Sequence, residues 1–528
     1  MKAKIFSVTA LLALSLAACS NGDYPVLTTK DWDNTFTYFA SSDAKSFETY
    51  YKPQAGYVGD PMPFFDPVAK DFKIMYLQEF RPNSNTYHPF WCVSTADAAN
   101  YVSLGEVIPT GTVNELDGAL GTGCTVYNDA DNTYYTFFTA HSTNLSATVI
   151  NEAVMVAKST DCKSWTKDRT FILSGEGEYS TNDFRDPCVF RTDDGSWHMV
   201  ISTQKNGKGV LAEYVSTDLM TWTSAGVFMT MMWDRFYECP DVFKMGEWWY
   251  LVYSEKHAAI RKVQYFKGRT LDELKACTAN DAGIWPDNHE GFLDARSFYA
   301  GKTATNGTER YIWGWCPTRP GNDNTNVGAY PAEPEWAGAL VAHRVIQAAD
   351  GSLTLGPVNA IEEKFGNTAT VRVAAQSEGV TADNGSYTLT ADSYVLFGRL
   401  SECNRIELTV TTESATDRFG ISFVRGTDSS KYYTLMLNPE GDAKRKINFE
   451  EEGAEGIGFI NGGDGYSFDR PADNTYHIVI LNDNSVVTMY VNDVVAHTTR
   501  IHGIQKNCWS VNNYGGSIRI TDLKLSRK

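Results

Sequence analysis

The chain has 528 residues, 42% of them hydrophobic and 13% aromatic, and a formal net charge of −18. That length exceeds one ordinary domain and points to two or three. The acidic surplus, with both signs mixed along the chain, argues against nucleic acid or another anionic polymer as partner, since each would be repelled; a neutral ligand is compatible with it.

At the N-terminus, Lys2 and Lys4 precede an apolar run from Ile5 to Leu16, too short to cross a bilayer as a stable helix. The run ends Leu16-Ala17-Ala18-Cys19. This resembles a bacterial lipoprotein signal, in which cleavage leaves Cys19 as a lipidated N-terminus; the competing reading is a plain secretory peptide with an incidental cysteine. Several acyl chains on one residue would anchor the protein stably. Residues 1–19 are thus expected to be a signal, and the protein an exported lipoprotein held at the outer membrane, cell surface or periplasmic face. Residues 20–45 are polar and read as a tether. Nine further cysteines (92, 124, 162, 188, 239, 277, 316, 403 and 508) are scattered without zinc-ligand or redox spacing, so neither a metal site nor a disulfide framework is expected.

Residues 46–358 carry a repeat. The apolar pairs Phe64-Phe65, Val126-Tyr127, Val189-Phe190, Val242-Phe243 and Phe298-Tyr299 recur every 53 to 63 residues, each followed by a polar turn and an aromatic-rich strand. Three or four residues before each pair lie Asp60, Thr122, Asp186, Glu238 and Asp294. A second repeat interleaves: Ser94-Thr95-Ala96-Asp97, Ser159-Thr160-Asp161 and Ser216-Thr217-Asp218 each have an aromatic (Tyr101, Trp165, Trp222) four residues past the Asp. These three aspartates are expected to make hydrogen bonds within turns. Fixed-period repeats of several strands indicate a propeller or solenoid, and five units of about four strands indicate a five-bladed β-propeller. Equivalent units bring the starts of their first strands together around a central channel. Asp60, Asp186 and Glu238 would then share one pocket. Leu271–Lys275 reads as a short helical turn. From about residue 365 to 528 the composition shifts to short alternating strands with polar turns, which reads as a β-sandwich. The whole is an all-β chain of two domains.

Asp60 and Glu238 have the chemistry of a glycosidase pair, in which one carboxylate attacks the anomeric carbon and one acid protonates the leaving oxygen. Asp186 would stabilise positive charge in the transition state or hold sugar hydroxyls, and Arg185 would orient it. Against this stands a structural role for carboxylates at blade starts, strongest for Asp294.

Gly59-Asp60-Pro61, Phe184-Arg185-Asp186-Pro187 and Glu238-Cys239-Pro240 resemble the three signature motifs of glycoside hydrolase family 32, the fructan hydrolases and invertases. Ile74–Gln78 resembles the strand that ends in a substrate-contacting glutamine, Asp117–Gly123 a glycine- and serine-rich strand start, and Asp294–Ala300, Gly314-Trp315 and Glu335–Gly338 the last blade. The resemblance covers residues 50–358 in order. It implies a five-bladed propeller followed by a sandwich, and metal-free, cofactor-free hydrolysis of β-fructosidic bonds with retention. Carried over by position, Asp60 is the nucleophile, Asp186 the stabiliser and Glu238 the acid/base, with Arg185, Cys239, Gln78, Thr122 and Asp294 around the substrate.

Two departures bear on substrate. The family has Asn on both sides of the nucleophile's Asp-Pro, and here Gly59 and Met62 stand there. The family's Trp-Gly-His stretch is matched only loosely by Tyr87–Trp91. Trp91, Trp313, Trp315 and Trp336 are candidates for stacking on sugar rings, Trp91 and Trp336 foremost, although aromatics also wedge between blades. The expected ligand is levan, inulin or a shorter β-fructoside. The competing readings are a carbohydrate-binding lipoprotein without turnover and a family 43-like enzyme cleaving arabinan or xylan.

Overall fold

A computed structural model describes residues 47–528 apart from 81–87, 147, 149, 176, 232–235, 256–261, 278–290, 319–335, 425–431, 440–445, 454–464, 502–503 and 505–506. The expected signal with Cys19 and the expected tether lie outside the described residues. Among the described residues no helix is long and apolar enough to cross a membrane. The chain forms two compact units, one within residues 50–360 and one from Ile361 onward.

The first unit is a five-bladed β-propeller. Blade 1 holds β1 (Tyr57–Asp66), β2 (Asp71–Glu79), β3 (Phe90–Thr95) and β4 (Val102–Ile108). Blade 2 holds β5 (Ala119–Asn128), β6 (Thr133–His141), β7 (Glu152–Ser159) and β8 (Thr166–Leu173). Blade 3 holds β9 (Phe184–Arg191), β10 (Trp197–Lys205), β11 (Lys208–Ser216) and β12 (Thr223–Thr230). Blade 4 holds β13 (Tyr237–Met245), β14 (Trp248–Glu255) and β15 (Val263–Gly268), with a bridge from Gln264 to Phe292 at its edge. The short helix α1 (Leu271–Lys275) follows, where Glu273 N–H donates to the Thr270 hydroxyl at the helix N-cap. Blade 5 holds β16 (Tyr299–Thr305), β17 (Arg310–Pro317), β18 (Gly338–Gln347) and β19 (Leu353–Gly356). Every blade is antiparallel. Blade 5 meets the start of the chain where β18 pairs with β1 and where Tyr51 and Leu340 exchange backbone hydrogen bonds of 3.2 and 2.8 Å, closing the ring.

Apolar side chains form separate cores between neighbouring blades. Met75, Phe90 and Cys92 of blade 1 pack with Tyr134, Phe138 and Met155 of blade 2; Phe137 and Val156 of blade 2 pack with Met199 and Ile201 of blade 3. Phe72 lies against Tyr311 and Trp313 of blade 5, with ring centroids 5.5 and 5.3 Å apart. Trp313 is therefore a wedge between blades, its indole N–H donating to the Tyr101 hydroxyl. The turns closing β3, β7 and β11 share one design. Asp97, Asp161 and Asp218 accept backbone N–H groups two and three residues on, and a hydroxyl two residues back (Thr95, Ser159, Ser216) donates to each.

The feature that builds the site is a β-bulge at the same place in every inner strand. The register slips by one residue between Gly59 and Met62, Gly121 and Gly123, Arg185 and Cys188, Glu238 and Asp241, and Tyr299 and Lys302. Three bulges carry proline after the bulge residue (Pro61, Pro187, Pro240), where the missing N–H costs no ladder bond. Asp60, Asp186, Cys239 and Ala300 occupy the left-handed region there, with φ of 29°, 58°, 53° and 54°. Such conformations are uncommon for residues with a β-carbon and re-aim side chains.

This register refines the repeat read from sequence. Asp60, Thr122, Asp186, Cys239 and Ala300 are the equivalent positions, and Glu238 stands one residue earlier, level with Gly59, Gly121, Arg185 and Tyr299. Asp294 is not a fifth member, because β16 begins at Tyr299.

The second unit holds fifteen strands between Asn367 and Arg527 among the described residues, in antiparallel sheets of eight and seven strands. Cys403–Thr412 lies between Thr475–Asp483 and Ile518–Arg527 in one; Phe419–Val424 lies between Tyr432–Pro439 and Cys508–Asn513 in the other. Buried Ile406, Leu408, Ile478 and Ile480, and Ile421, Leu435 and Trp509, supply its apolar interior.

Candidate active site

The bulges bring the three carboxylates together, and each has different neighbours. Asp60 accepts two neutral hydrogen bonds, from the Trp315 indole N–H and the Thr122 hydroxyl, both 2.9 Å. Asp186 is 4% exposed and accepts the Cys239 backbone N–H at 2.9 Å. Its own N–H donates to Thr139 Oγ1, and that hydroxyl donates to the Thr122 carbonyl, each 2.9 Å. One chain of bonds thus links the Asp60 and Asp186 strands. Glu238 accepts the Tyr299 hydroxyl at 2.8 Å and lies 3.6 Å from Arg185 Nη2; its side chain is more open, at 18% exposure. Arg185 is held by Asp183 at 2.6 Å, by Glu152 at 3.4 Å, and by the face of Phe236 at 4.0 Å.

Electrostatics follow from this crowding. Burial pushes the Asp60 carboxyl above its ordinary pKa; the Trp315 and Thr122 hydrogen bonds oppose it, and the Glu238 charge adds to it. Burial pushes Asp186 up to about 7, with Arg185 and the Cys239 N–H pulling down and Glu238 and Asp60 pushing up. Burial works against the charge of Arg185, but Asp186, Glu152 and Glu238 outweigh it and hold its pKa above the usual value. The Cys239 thiol is raised well above its ordinary value by burial and then by the three carboxylates, so it stays a neutral thiol, 3.7 Å from the Thr122 hydroxyl. Sites that gather like charges with unequal surroundings are suited to dividing acid and base roles.

The remaining sequence candidates divide. Thr122, Arg185 and Cys239 line the trio. Trp336 is partly exposed and packs beside Cys239, Tyr299 and Trp315. Trp91 is partly exposed, and its indole nitrogen is buried with no hydrogen-bond partner among the described residues. Gln78 is fully buried; its amide nitrogen donates to the Ala55 carbonyl at 2.6 Å, and Oε1 has no partner among the described residues. Asp294 is fully enclosed, bonded to the Ala295 N–H at 2.6 Å and to His343 at 3.0 Å. Asp294 thus precedes β16 and meets blade 5 through His343 of β18. His88 bonds Glu79 at 2.6 Å and lies tilted against Trp336, ring centroids 4.7 Å apart.

Sequence reasoning missed Tyr299, placed in an apolar pair, and Trp315 as a carboxylate partner. The signal for Tyr299 was Ala300-Gly301, two small residues standing where other blades carry the bulge residue and proline.

Residues 50–357 match the glycosyl hydrolases family 32 N-terminal domain, and residues 351–525 match the GH32, BT1760-like, C-terminal domain. The chain belongs to glycosyl hydrolase family 32. The family 43 reading falls away with this membership. A sucrose-6-phosphate hydrolase of Staphylococcus xylosus is 26% identical over 52% of this chain and 54% of its own length. A β-fructofuranosidase of Arabidopsis thaliana, insoluble isoenzyme CWINV2, is 27% identical over 39% of this chain and 37% of its own. The matches thus span about half or less of these curated relatives. Among solved structures, sucrose-6-phosphate hydrolase from Lactobacillus gasseri aligns over 96% of this chain and 99% of its own with a TM-score of 0.69 at 17% identity. Fructan 1-exohydrolase IIa from Cichorium intybus aligns over 90% and 97% with a TM-score of 0.68 at 14% identity. These likenesses establish the fold.

Within this family 32 chain, the two departures beside Asp60 acquire a structural account. Met62 is 1% exposed and its sulfur accepts the Gly123 N–H at 3.0 Å. It belongs to a ring of channel residues two positions past each bulge: Met62, Cys124, Cys188, Asp241 and Lys302. Cys124 accepts from Val189 N–H, Cys188 from Val242 N–H and Asp241 from Thr303 N–H, while Lys302 donates to the Gly123 carbonyl at 3.0 Å. Met62 thus ties blade 1 to blade 2 beneath the site. Gly59 faces a different neighbour, the Trp336 indole.

Proposed function

We propose that this protein is a retaining glycosidase that cleaves β-fructosidic bonds, with levan, inulin or their oligosaccharides as substrate. The observation that carries the reading is the convergence, at one end of the propeller channel, of three carboxylates with three different environments. Asp60, oriented by Trp315 and Thr122, attacks the anomeric carbon as Glu238 passes its proton to the departing oxygen; the glycosidic bond breaks and a fructosyl ester forms on Asp60. Water then enters, gives its proton to Glu238, and displaces Asp60. Asp186, fixed by the Cys239 N–H and Arg185, stabilises the positive charge of both transition states.

Fructan rather than sucrose is favoured by the N-terminal signal. A protein anchored through Cys19 outside the cytoplasm meets polymers that do not enter cells. The curated relatives are, by their names, a sucrose-6-phosphate hydrolase and a β-fructofuranosidase, and sucrose presents the same fructosyl bond. A binding protein without turnover has no need of both a nucleophile and a proton donor.

The test uses soluble protein starting after Cys19, incubated with levan, inulin and sucrose beside Asp60→Asn, with products resolved by chromatography over time. Release from levan or inulin by the unmodified protein alone supports the reading. Fructose as sole product means exo action, and an oligosaccharide ladder means endo action. Turnover of sucrose alone replaces the fructan reading with an invertase; no turnover with retained binding replaces it with a binding protein.

A further inference from the structure

The positions one residue before each bulge residue, Gly59, Gly121, Arg185, Glu238 and Tyr299, form a tier next to the tier that holds Asp60 and Asp186. A chain of polar side chains runs into this tier from blade 2 and on to blade 5. His141 ends β6 and stands opposite Glu152, the first residue of β7. Its Nδ1 lies 3.4 Å from Glu152 Oε1. The other oxygen of Glu152 reaches blade 3, where it accepts the Phe184 N–H at 2.8 Å and Arg185 Nη1 at 3.4 Å. The far end of the guanidinium, Nη2, lies 3.6 Å from Glu238 Oε1, and Glu238 Oε2 accepts the Tyr299 hydroxyl.

Arg185 Nη1 thus meets two carboxylates, and burial separates them. Asp183 is the nearer at 2.6 Å, but its side chain is 32% exposed, so water screens its charge. The Glu152 side chain is only 5% exposed, and its charge acts through a poorly polarisable interior. A buried carboxylate needs partners, and the Phe184 N–H and Arg185 supply them. His141 does not compete for Glu152 as a cation at neutral pH. Burial lowers its pKa; Glu152 opposes this, Arg185 and His88 add to it, and Asp183 opposes it again.

We infer that Glu152 is a positioning residue for the reaction: it fixes Arg185 through Nη1 and offsets part of that cation's charge, so that Nη2 orients Glu238 while drawing less on its proton. Without Glu152 the guanidinium would face Glu238 and Asp186 with its charge less offset, and a nearby cation favours the ionised form of a carboxyl. A proton donor has to keep its proton until the leaving oxygen takes it. This inference rests on the assignment of Glu238 above.

The test is the pH dependence of kcat/KM on a levan or inulin oligosaccharide. Glu152→Gln keeps an acceptor for the Phe184 N–H and removes the charge. Its alkaline limb, where the donor loses its proton, is expected to move to lower pH by about 0.5 unit or more. Glu152→Asp, which keeps a carboxylate, should hold the limb near that of the unmodified protein even where kcat falls. His141→Lys sets a permanent cation against Glu152 on a partly exposed strand end. It should move the limb in the same direction as Glu152→Gln, and it carries the test should Glu152→Gln not fold. A lower profile with unmoved limbs in Glu152→Gln, or a limb shifted as far by Asp as by Gln, would overturn the inference and leave Glu152 a packing role. Glu238→Gln separates the inference from the assignment beneath it. Its residual activity should lack the alkaline limb; a limb that persists there, or absence of turnover by the unmodified protein, would overturn the assignment of Glu238, and the inference with it.

Discussion

Replacing Asp186 by Asn is expected to weaken the enzyme while making the fold more stable, in a manner that depends on pH. Asp186 is 4% exposed, and its carboxyl is raised from 3.8 to about 7 in the folded protein, first by burial and then by the Glu238 and Asp60 charges. Between those values the native state holds a proton that the unfolded chain has released, so stability falls as pH rises through this window. Each tenfold displacement of a proton equilibrium is worth about 1.4 kcal/mol, so the full rise corresponds to about 4 kcal/mol at pH 8 and to nothing below pH ~4. Asn cannot ionise, and its carbonyl still accepts the Cys239 N–H. The stabilisation of Asp186→Asn over the unmodified protein should therefore be near zero at pH 4, grow between pH 4 and 7, and level off above. Thermal unfolding of both proteins at pH 4, 6 and 8 measures it, with a separation of several degrees expected at pH 8. A separation that does not change with pH, or a variant less stable at pH 8, would refute the reasoning that this site holds its charges at the expense of stability. Turnover should fall in the same variant, as expected where function and stability compete.

Glu238→Gln should reduce kcat on fructans by about 10²-fold or more with little change in KM, because only the proton donor is removed; an unchanged kcat in steady-state assays would end its assignment. Trp315→Phe keeps the ring but removes the donor to Asp60, so the Asp60 pKa should rise further and the acidic limb of the kcat/KM profile should move to higher pH. An unmoved limb with lower activity would point to packing alone. Gly338→Ala places a β-carbon 2.6 Å from the Cys316 carbonyl carbon, and closer still to its oxygen, within β18 next to β17. Because the obstacle is backbone, a loss of stability of about 3 kcal/mol or more is expected by denaturant titration, and a neutral outcome would contradict the close approach of β17 and β18.

The repeat of apolar pairs, the Ser/Thr-to-Asp turns and the Asp-Pro and Cys-Pro steps are local patterns, and local patterns are what a sequence displays. They were enough to establish a five-bladed propeller followed by a sandwich and to bring Asp60, Asp186 and Glu238 into one pocket. They misplaced Asp294, because its distance from Phe298-Tyr299 imitates the repeat while the strand begins only at Tyr299. They also left Glu238 in the tier of Asp60 rather than one step above it. A bulge is a mismatch between two strands, so its position is known only when the partner strand is in place. For the same reason the tertiary structure alone decided that Trp315 and Tyr299 hold the carboxylates, that Met62 spans two blades beneath them, and that Gly59 is glycine because an indole from the last blade lies upon it.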